Sequence, residues 1–552
     1  MNRTVLNNFN HQQRKRVTFV FVWCFLILFT VGGGSLLAET GPDLDWLAGQ
    51  TAVSYQNYQI QVTTRNDSNR ITVSVDADLR VSIAETDRFY FLLAQFSQLQ
   101  IEEAKLNGKP VSLRKQAEVY WVDLPASKKR GDVLSFGIRY SFRANAASKT
   151  VLLELTGNWY PRSLVPDPAT AEVELVAPPG YFGVGNGNLQ GVRTYPFQQM
   201  GYVWRTSQPL TALGVAVGRY QIATKMNKGR LYRLFYLPGT TPAFRDKLLE
   251  QGAAVGEFFL GKFGGVAFTE FSIVMNDFAS EADSNCSSLI FIHVPGNRAN
   301  RFSLFTLAHE MAHYWWGNLV YPKTLHDWWL AEGFANYSAY LALERVAPDA
   351  PQTRAQLQQW RSEYEKAHRE SKSYQISELS LAELSPYDLQ RELLYHKGAY
   401  VLHMTRVVLG ETKFGNYLAE FVRRYANRPA GIRDFTGLGV ELYGAPLLDF
   451  YRQWVYTAGW YNITLRNVTV QAKQGKFVVS FTIQNTGQLN LPETVDLEII
   501  TGSEVYSEAL SFRNVNVTMQ RTLPAKPKRI MVNGKYNILE PNVADNIWTN
   551  RF

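Results

Sequence analysis

The sequence predicts a multidomain α+β protein, and three observations carry that reading. At 552 residues the chain exceeds what one hydrophobic core organises, so about three to four domains are expected. Its hydrophobic fraction of 46% and charged fraction of 19% belong to a globular chain, not a disordered one. The hydrophobic period also changes twice, from two residues to about 3.6 and back to two.

Residues 50 to 210 alternate apolar and polar side chains in "YQIQVTT", "RITVSVDADLRVSI" and "AEVELVA", broken by Asn, Asp, Gly and Pro turns, which reads as β-strands. "GVGNGNLQG" (183–191) lacks the glycine offsets of a phosphate-binding loop and no helical run follows it. Asn186-Gly187 is therefore expected to turn a hairpin. From about 225 to 455 the period is helical in "PAFRDKLLEQGAAVGEFFLGKFG", "QLQQWRSEYEKAHRE", "KGAYVLHMTRVVLG" and "FGNYLAEFVRRYAN", with one strand-like run, "FTEFSIVMND". After Gly459 alternation returns over some ninety residues, at the spacing of a small antiparallel sandwich.

The first residues read as an export signal. Arg14, Lys15 and Arg16 precede the apolar run 17–31, and "GGGSLLAET" follows with a cleavage site after Ala38. The alternative is an uncleaved anchor, since 17–37 nearly spans a bilayer. Either reading places the body outside the cytoplasm, in the periplasm, at the cell surface or in the medium.

The formal charge of +9 owes four units to residues 1–38, and the remaining basic excess is spread thinly. A nucleic-acid partner is not supported. Of the two cysteines, Cys24 lies in the N-terminal apolar run, so Cys286 has no internal disulfide partner and a Cys-based zinc site is excluded.

"LAHEMAHYWWGN" (307–318) places His309 and His313 four residues apart with Glu310 directly after the first. On a helix over 302–318, whose face Phe302, Thr306, His309, His313 and Trp316 would form, the two imidazoles converge on one ion. Glu310 then points about 100° around, where it can take a proton from an activated water. With eight histidines in the chain, chance yields this pattern in on the order of one such chain in a hundred. Two nitrogens are one ligand short of a catalytic site. Glu332 follows His313 after eighteen residues, in the amphipathic run "DWWLAEGFANYSAYLALE" (327–344). That length lets a second helix fold back over the histidines. Two imidazoles and a carboxylate suit Zn²⁺ better than Mg²⁺ or Ca²⁺. Asn336, one turn beyond Glu332, is either an orienting group or a plain helix amide.

H-E-x-x-H, eighteen residues, and then W-L-x-E-G-F-A-x-Y resemble the gluzincin aminopeptidases, the family of membrane alanyl aminopeptidase. "WWGNLV" is similar to the family's W-F-G-N-L-V, and "LLYHKGAYVLHM" to its Y-x-K-G-A-x-V-L segment. The resemblance implies an N-terminal β saddle, a thermolysin-like mixed α/β and helical catalytic domain, and a C-terminal β-sandwich, without the helical fourth domain of many members. It implies one Zn²⁺ per chain on His309, His313 and Glu332, a general base in Glu310 and an oxyanion donor in Tyr395. A peptide is the implied substrate. The expected boundaries are 1–38 for the signal or anchor, 45–215, 216–457 and 458–552.

One departure stands out. The family reads the substrate's α-amine with the glutamate of a G-x-M-E-N segment, and none is present. Aligning Leu289-Ile290 with the family's following Leu-Ile places Asn285 at that position, with Glu281 and Asp283 the nearby acids. A neutral amide cannot supply the charge contact an ammonium needs. The expected activity is removal of N-terminal residues from peptides. The alternatives are an endopeptidase of the same fold, a glycyl-aminopeptidase-like enzyme, and a non-catalytic exported zinc-containing binding protein.

Overall fold

A computed structural model of the chain describes residues 43–65, 69–143, 151–153, 158–264, 270–276, 284–294, 302–370, 375–379, 393–489, 495–502, 504–510 and 516–550. The export signal or anchor (1–38) and the candidate acids Glu281 and Asp283 lie outside the described residues. Among the described residues, no helix is long and apolar enough to cross a membrane.

The multidomain α+β class holds. The N-terminal half is built on an eight-stranded sheet, in the order Asn188–Thr194, Met200–Arg205, Thr170–Ala177, Val53–Thr64, Arg70–Val81, Val133–Arg143, Gln100–Leu106, Lys109–Pro110. Strict alternation buries one face: along Arg70–Val81, residues Ile71, Val73, Val75, Ala77, Leu79 and Val81 are all inside. A three-stranded sheet containing Glu85–Leu92 packs on it, with Phe89 meeting Phe136 edge to face at 5.6 Å between centroids.

The region that follows starts with a five-stranded mixed sheet, ordered Gln221–Asn227, Arg230–Tyr236, Glu270–Asn276, Leu289–His293, Ser284–Cys286. The inner pairings are parallel and the outermost strands antiparallel. The strands Glu270–Asn276 and Leu289–His293 are buried on both faces. Leu234, Ile273, Met275, Ile290 and Ile292 join the core beneath the helices. Phe235, Val274, Leu289 and Phe291 join the core of the N-terminal β region.

The long helix Pro242–Phe263 opens with Thr241 accepting from the Phe244 amide and ends at Gly264, whose φ is 67°. It lies close on the sheet because Gly252 and Gly256 leave room: a Cβ would stand 2.8 Å from Ile273 and 2.7 Å from the Tyr232 hydroxyl. Helices Pro351–Glu370, Gly398–Leu409, Glu411–Tyr425, Ile432–Tyr443 and Ala445–Trp454 complete the region. After it come a three-stranded sheet, with Ile463–Lys473 at its edge, and a four-stranded one, with Val495–Ile500 inside it. Their inward residues Ile463, Val479, Leu497 and Ile530 share one continuous core with these helices.

Asn186-Gly187 is not a hairpin turn. The strand before it, Phe182–Gly185, pairs with Val215–Gly218, while the strand after it, Asn188–Thr194, pairs with Met200–Arg205 in the other sheet. The dipeptide carries the chain from one sheet to the next. Asn186 donates to the Cys286 carbonyl (2.6 Å) and to Ser288 Oγ (3.1 Å), and accepts from the Gly214 amide (2.7 Å). The dipeptide does break the strand, as its composition implies, but a local signal does not reveal that two partners of Asn186, Cys286 and Ser288, lie a hundred residues away. Gly187 has φ +83°, and a Cβ there would lie 2.2 Å from the Arg205 carbonyl oxygen. Gly187→Ala is therefore expected to cost at least about 1–3 kcal/mol, visible as a lowered thermal midpoint. Gly191→Ala, on the strand that follows and with open space at its Cβ, should leave the midpoint within about a degree of the parent's. Equal midpoints for the two variants would sink this account.

Candidate metal centre

The helix carrying the two histidines runs over Leu304–Ala312 and starts at Ser303, whose side chain accepts from the Thr306 amide at 3.1 Å. It is shorter than the expected 302–318. Past His313 the bonds tighten, Tyr314 N to Met311 O and Trp315 N to Ala312 O, and Gly317 takes φ +99°. Asn318 Nδ2 caps the His313 carbonyl at 2.6 Å. This reversal drives Trp315 and Trp316 inward, 5.6 Å from Phe259 and 5.2 Å from Phe263 between centroids. It also brings the Trp316 carbonyl back to accept from His313 Nδ1 at 2.9 Å. That bond fixes the tautomer and leaves Nε2 for a metal.

Glu332 lies on the helix Trp329–Val346, which is buried on every side from Trp329 to Leu343. The amphipathic pattern expected for 327–344 is thus incorrect. Its polar positions (Asn336, Ser338) are inside as well, because the helix packs between the histidine helix and Gly398–Leu409 and takes their polar contacts. Trp316 Nε1 donates to Ser338 Oγ at 2.8 Å. Asp327 anchors the approach to this helix, accepting from Ile432 N at 2.8 Å and from Thr324 N at 3.0 Å.

The three expected ligands meet. His309 Nε2 and His313 Nε2 are 3.1 Å apart, and they stand 3.4 and 3.6 Å from Glu332 Oε2. They are the one group of His, Cys, Asp and Glu among the described residues whose ligand atoms converge on a metal position, all within 4.8 Å of one another. Glu332 is fully buried, and neither of its oxygens receives a hydrogen bond among the described residues. A buried carboxylate in that state needs a cation. Two imidazole nitrogens and a carboxylate oxygen form the donor set that Zn²⁺ takes in catalytic sites with an open fourth position.

Burial alone would pull His313 down and push Glu332 up. Their mutual attraction outweighs this: Glu332 and Glu310 hold His313 up to about 9, and the two histidines hold Glu332 well below the carboxylate range. Glu310 is 1% exposed on the same helix. Tyr395 lies in a π-turn, Leu393–Lys397, immediately before Gly398–Leu409. Its ring runs nearly parallel to that of His309, with centroids 6.3 Å apart. Lys397 in the same turn is buried, which pulls its ammonium down to about 8. Asn336 is no plain surface amide: it is buried and donates to the Tyr395 carbonyl at 3.3 Å. Asn285, by contrast, is placed by its backbone, paired with Ile290 in the edge strand Ser284–Cys286.

Residue-by-residue reading does not find the bonds that clamp the turn after this strand. Ser287 Oγ donates to Asn318 Oδ1 (2.6 Å), Tyr314 Oη to the Ser288 carbonyl (2.7 Å), and the Ala212 amide to Ser287 Oγ (3.2 Å). Asn318, in the G-N of "WWGNLV", is the one visible signal.

A metal centre of two imidazoles and a carboxylate, a glutamate next to the first histidine, and a mixed sheet alongside define a gluzincin-type site. Residues 284–454 match the Peptidase family M1 domain. Aminopeptidase M1-D of Oryza sativa subsp. japonica is 26% identical over 278 residues, 48% of this chain and 28% of the relative. Tricorn protease-interacting factor F2 of Thermoplasma volcanium is 22% identical over 374 residues, 63% of this chain and 46% of the relative. The chain thus spans less than half the length of these relatives. An M1 zinc metallopeptidase from Deinococcus radiodurans, solved as a point mutant bound to a Tyr-Ser-Ala substrate, superposes with a TM-score of 0.60 at 20% identity, covering 73% of this chain and 94% of that one. The fold is shared.

Because His313 holds a proton up to about 9, Zn²⁺ must displace it. Zinc loading of the stripped protein at pH 7 should release about one proton, and the apparent affinity should rise with pH until about pH 9. Calorimetric titration in two buffers of different ionisation enthalpy measures this. A buffer-independent heat would refute it.

Proposed function

We propose that this chain is an exported zinc peptidase that hydrolyses peptide bonds and releases residues from the N-terminus of its substrates. The convergence of His309, His313 and Glu332, with Glu310 on one ligand helix and Tyr395 beside His309, carries this reading. Zinc, when bound, lowers the pKa of water and polarises a scissile carbonyl. Glu310 accepts the proton of the attacking water and returns it to the leaving amine. Tyr395 donates a hydrogen bond to the oxygen on which charge grows in the transition state.

A second reading, endopeptidase action, is favoured by one observation. Aligned on Leu289-Ile290, the sequence has Asn285, in the edge strand Ser284–Cys286, where the family's amine-reading glutamate is expected. One peptide in free-amine and N-acetylated forms, with and without a zinc chelator, separates the possibilities. Cleavage of the free-amine form alone supports the aminopeptidase. Cleavage of both supports the endopeptidase, and cleavage of neither supports a binding protein. In either enzymatic case Glu310→Gln should lower kcat by about 10² or more with zinc still bound, as read by metal analysis of the same sample. Survival of full activity would remove Glu310 from the mechanism.

A further inference from the structure

Glu332 and Asn336 are one turn apart on the same face of a fully buried helix. The first faces the two histidines. The second donates to the carbonyl of Tyr395 at 3.3 Å. Between them, Gly333 touches the start of the Tyr395 helix backbone to backbone. A Cβ on Gly333 would lie 3.0 Å from Gly398 C, 3.1 Å from its Cα and 3.3 Å from Ala399 N. A Cβ on Gly398 would in turn lie 3.3 Å from Gly333 Cα. These neighbours are main-chain atoms, so no side chain can swing aside to relieve the contact.

The turn that bears Tyr395 is a π-turn. Such a turn widens the helix and redirects its carbonyls from the regular ladder, so the Asn336 donor meets a real need. The other side of the same helix is also held. Tyr400, about 200° around from Gly398, donates through its hydroxyl to the Tyr536 carbonyl at 2.5 Å. The Leu539 amide meets the Met404 sulfur at 3.4 Å. The helix that follows the Tyr395 turn is therefore held between the metal-ligand helix and the C-terminal segment 536–539.

We infer that Asn336 and Gly333 are positioning residues: from the helix that carries Glu332, they set the distance and orientation of Tyr395 relative to the metal centre. The inference rests on the peptidase reading and adds to it. The ligand and the oxyanion donor are set by one rigid element, so their spacing is independent of substrate. A group that acts only in the transition state is sensitive to small displacement, and about 1 Å can cost up to about 10²-fold in rate. Displacing Tyr395 should thus lower kcat and spare KM.

The test is a double-mutant cycle on the zinc-loaded full chain, using the peptide that the free-amine comparison shows to be cleaved. Tyr395→Phe should lower kcat about 10²-fold. Asn336→Ala and Gly333→Ala should each lower kcat about 10-fold or more, with KM within about twofold, zinc content unchanged and a thermal midpoint well above the assay temperature. In the Tyr395→Phe background, Asn336→Ala should have no further effect on kcat. An equal loss in both backgrounds, unchanged kcat in Asn336→Ala, or loss of zinc or of folded protein in both positioning variants would overturn the inference in favour of a purely structural role. An unchanged kcat in Tyr395→Phe would overturn the oxyanion role itself, a separate failure seen before Asn336 is altered.

Discussion

The helical region depends on one constraint, a carboxylate that accepts no hydrogen bond among the described residues and is buried beside two imidazoles. An uncompensated charge in such a place costs several kcal/mol, so Glu332 holds together only with positive charge beside it, supplied by protons on the histidines or by a divalent ion. The helices around it serve this arrangement. The histidine helix turns sharply after His313, which returns a carbonyl to its imidazole and sends two indoles into the core. The Glu332 helix is surrounded on all sides, so its carboxylate has no path to water. The π-turn with Tyr395 then closes against the same helix.

The N-terminal β region takes part at one seam. Asn186, Thr211 and Ala212 reach across to the turn Cys286–Ser288, and Asn318 meets the same turn from the metal side. A displacement of the β region would therefore be felt first at the edge strand beside the centre and next at the carbonyl of His313, which Asn318 caps.

The parts legible in the sequence are those whose signals are local. Alternation marks the strands, the 3.6 period marks the long helices, and the spacing of His309, His313 and Glu332 marks the ligands because a helix turn and a short reversal convert spacing directly into geometry. Tyr395 has no such link to His309, 86 residues away, and is found through a motif resemblance. Where a residue's meaning depends on a distant partner, reading along the chain fails. Asn186-Gly187 has the composition of a hairpin turn but joins two sheets. The 327–344 segment shows a polar stripe that faces other helices instead of solvent. Gly333 and Gly398 look like ordinary helix-weakening glycines until their backbones are seen in contact.

The two strands of the five-stranded sheet that are buried on both faces have a consequence of another kind. They form a partition wall shared by two rooms: alternate residues of "FSIVM" and "LIFI" furnish the core on one side and the core on the other. The helical side is in turn continuous with the C-terminal sheets. No lobe can therefore be peeled off without stripping an inner wall bare, and the apolar surface so exposed would be a template for aggregation. Substitution is accordingly expected to be tolerated at the rims, in loops and outer strands, while the partition itself needs aliphatic or aromatic side chains on both of its faces.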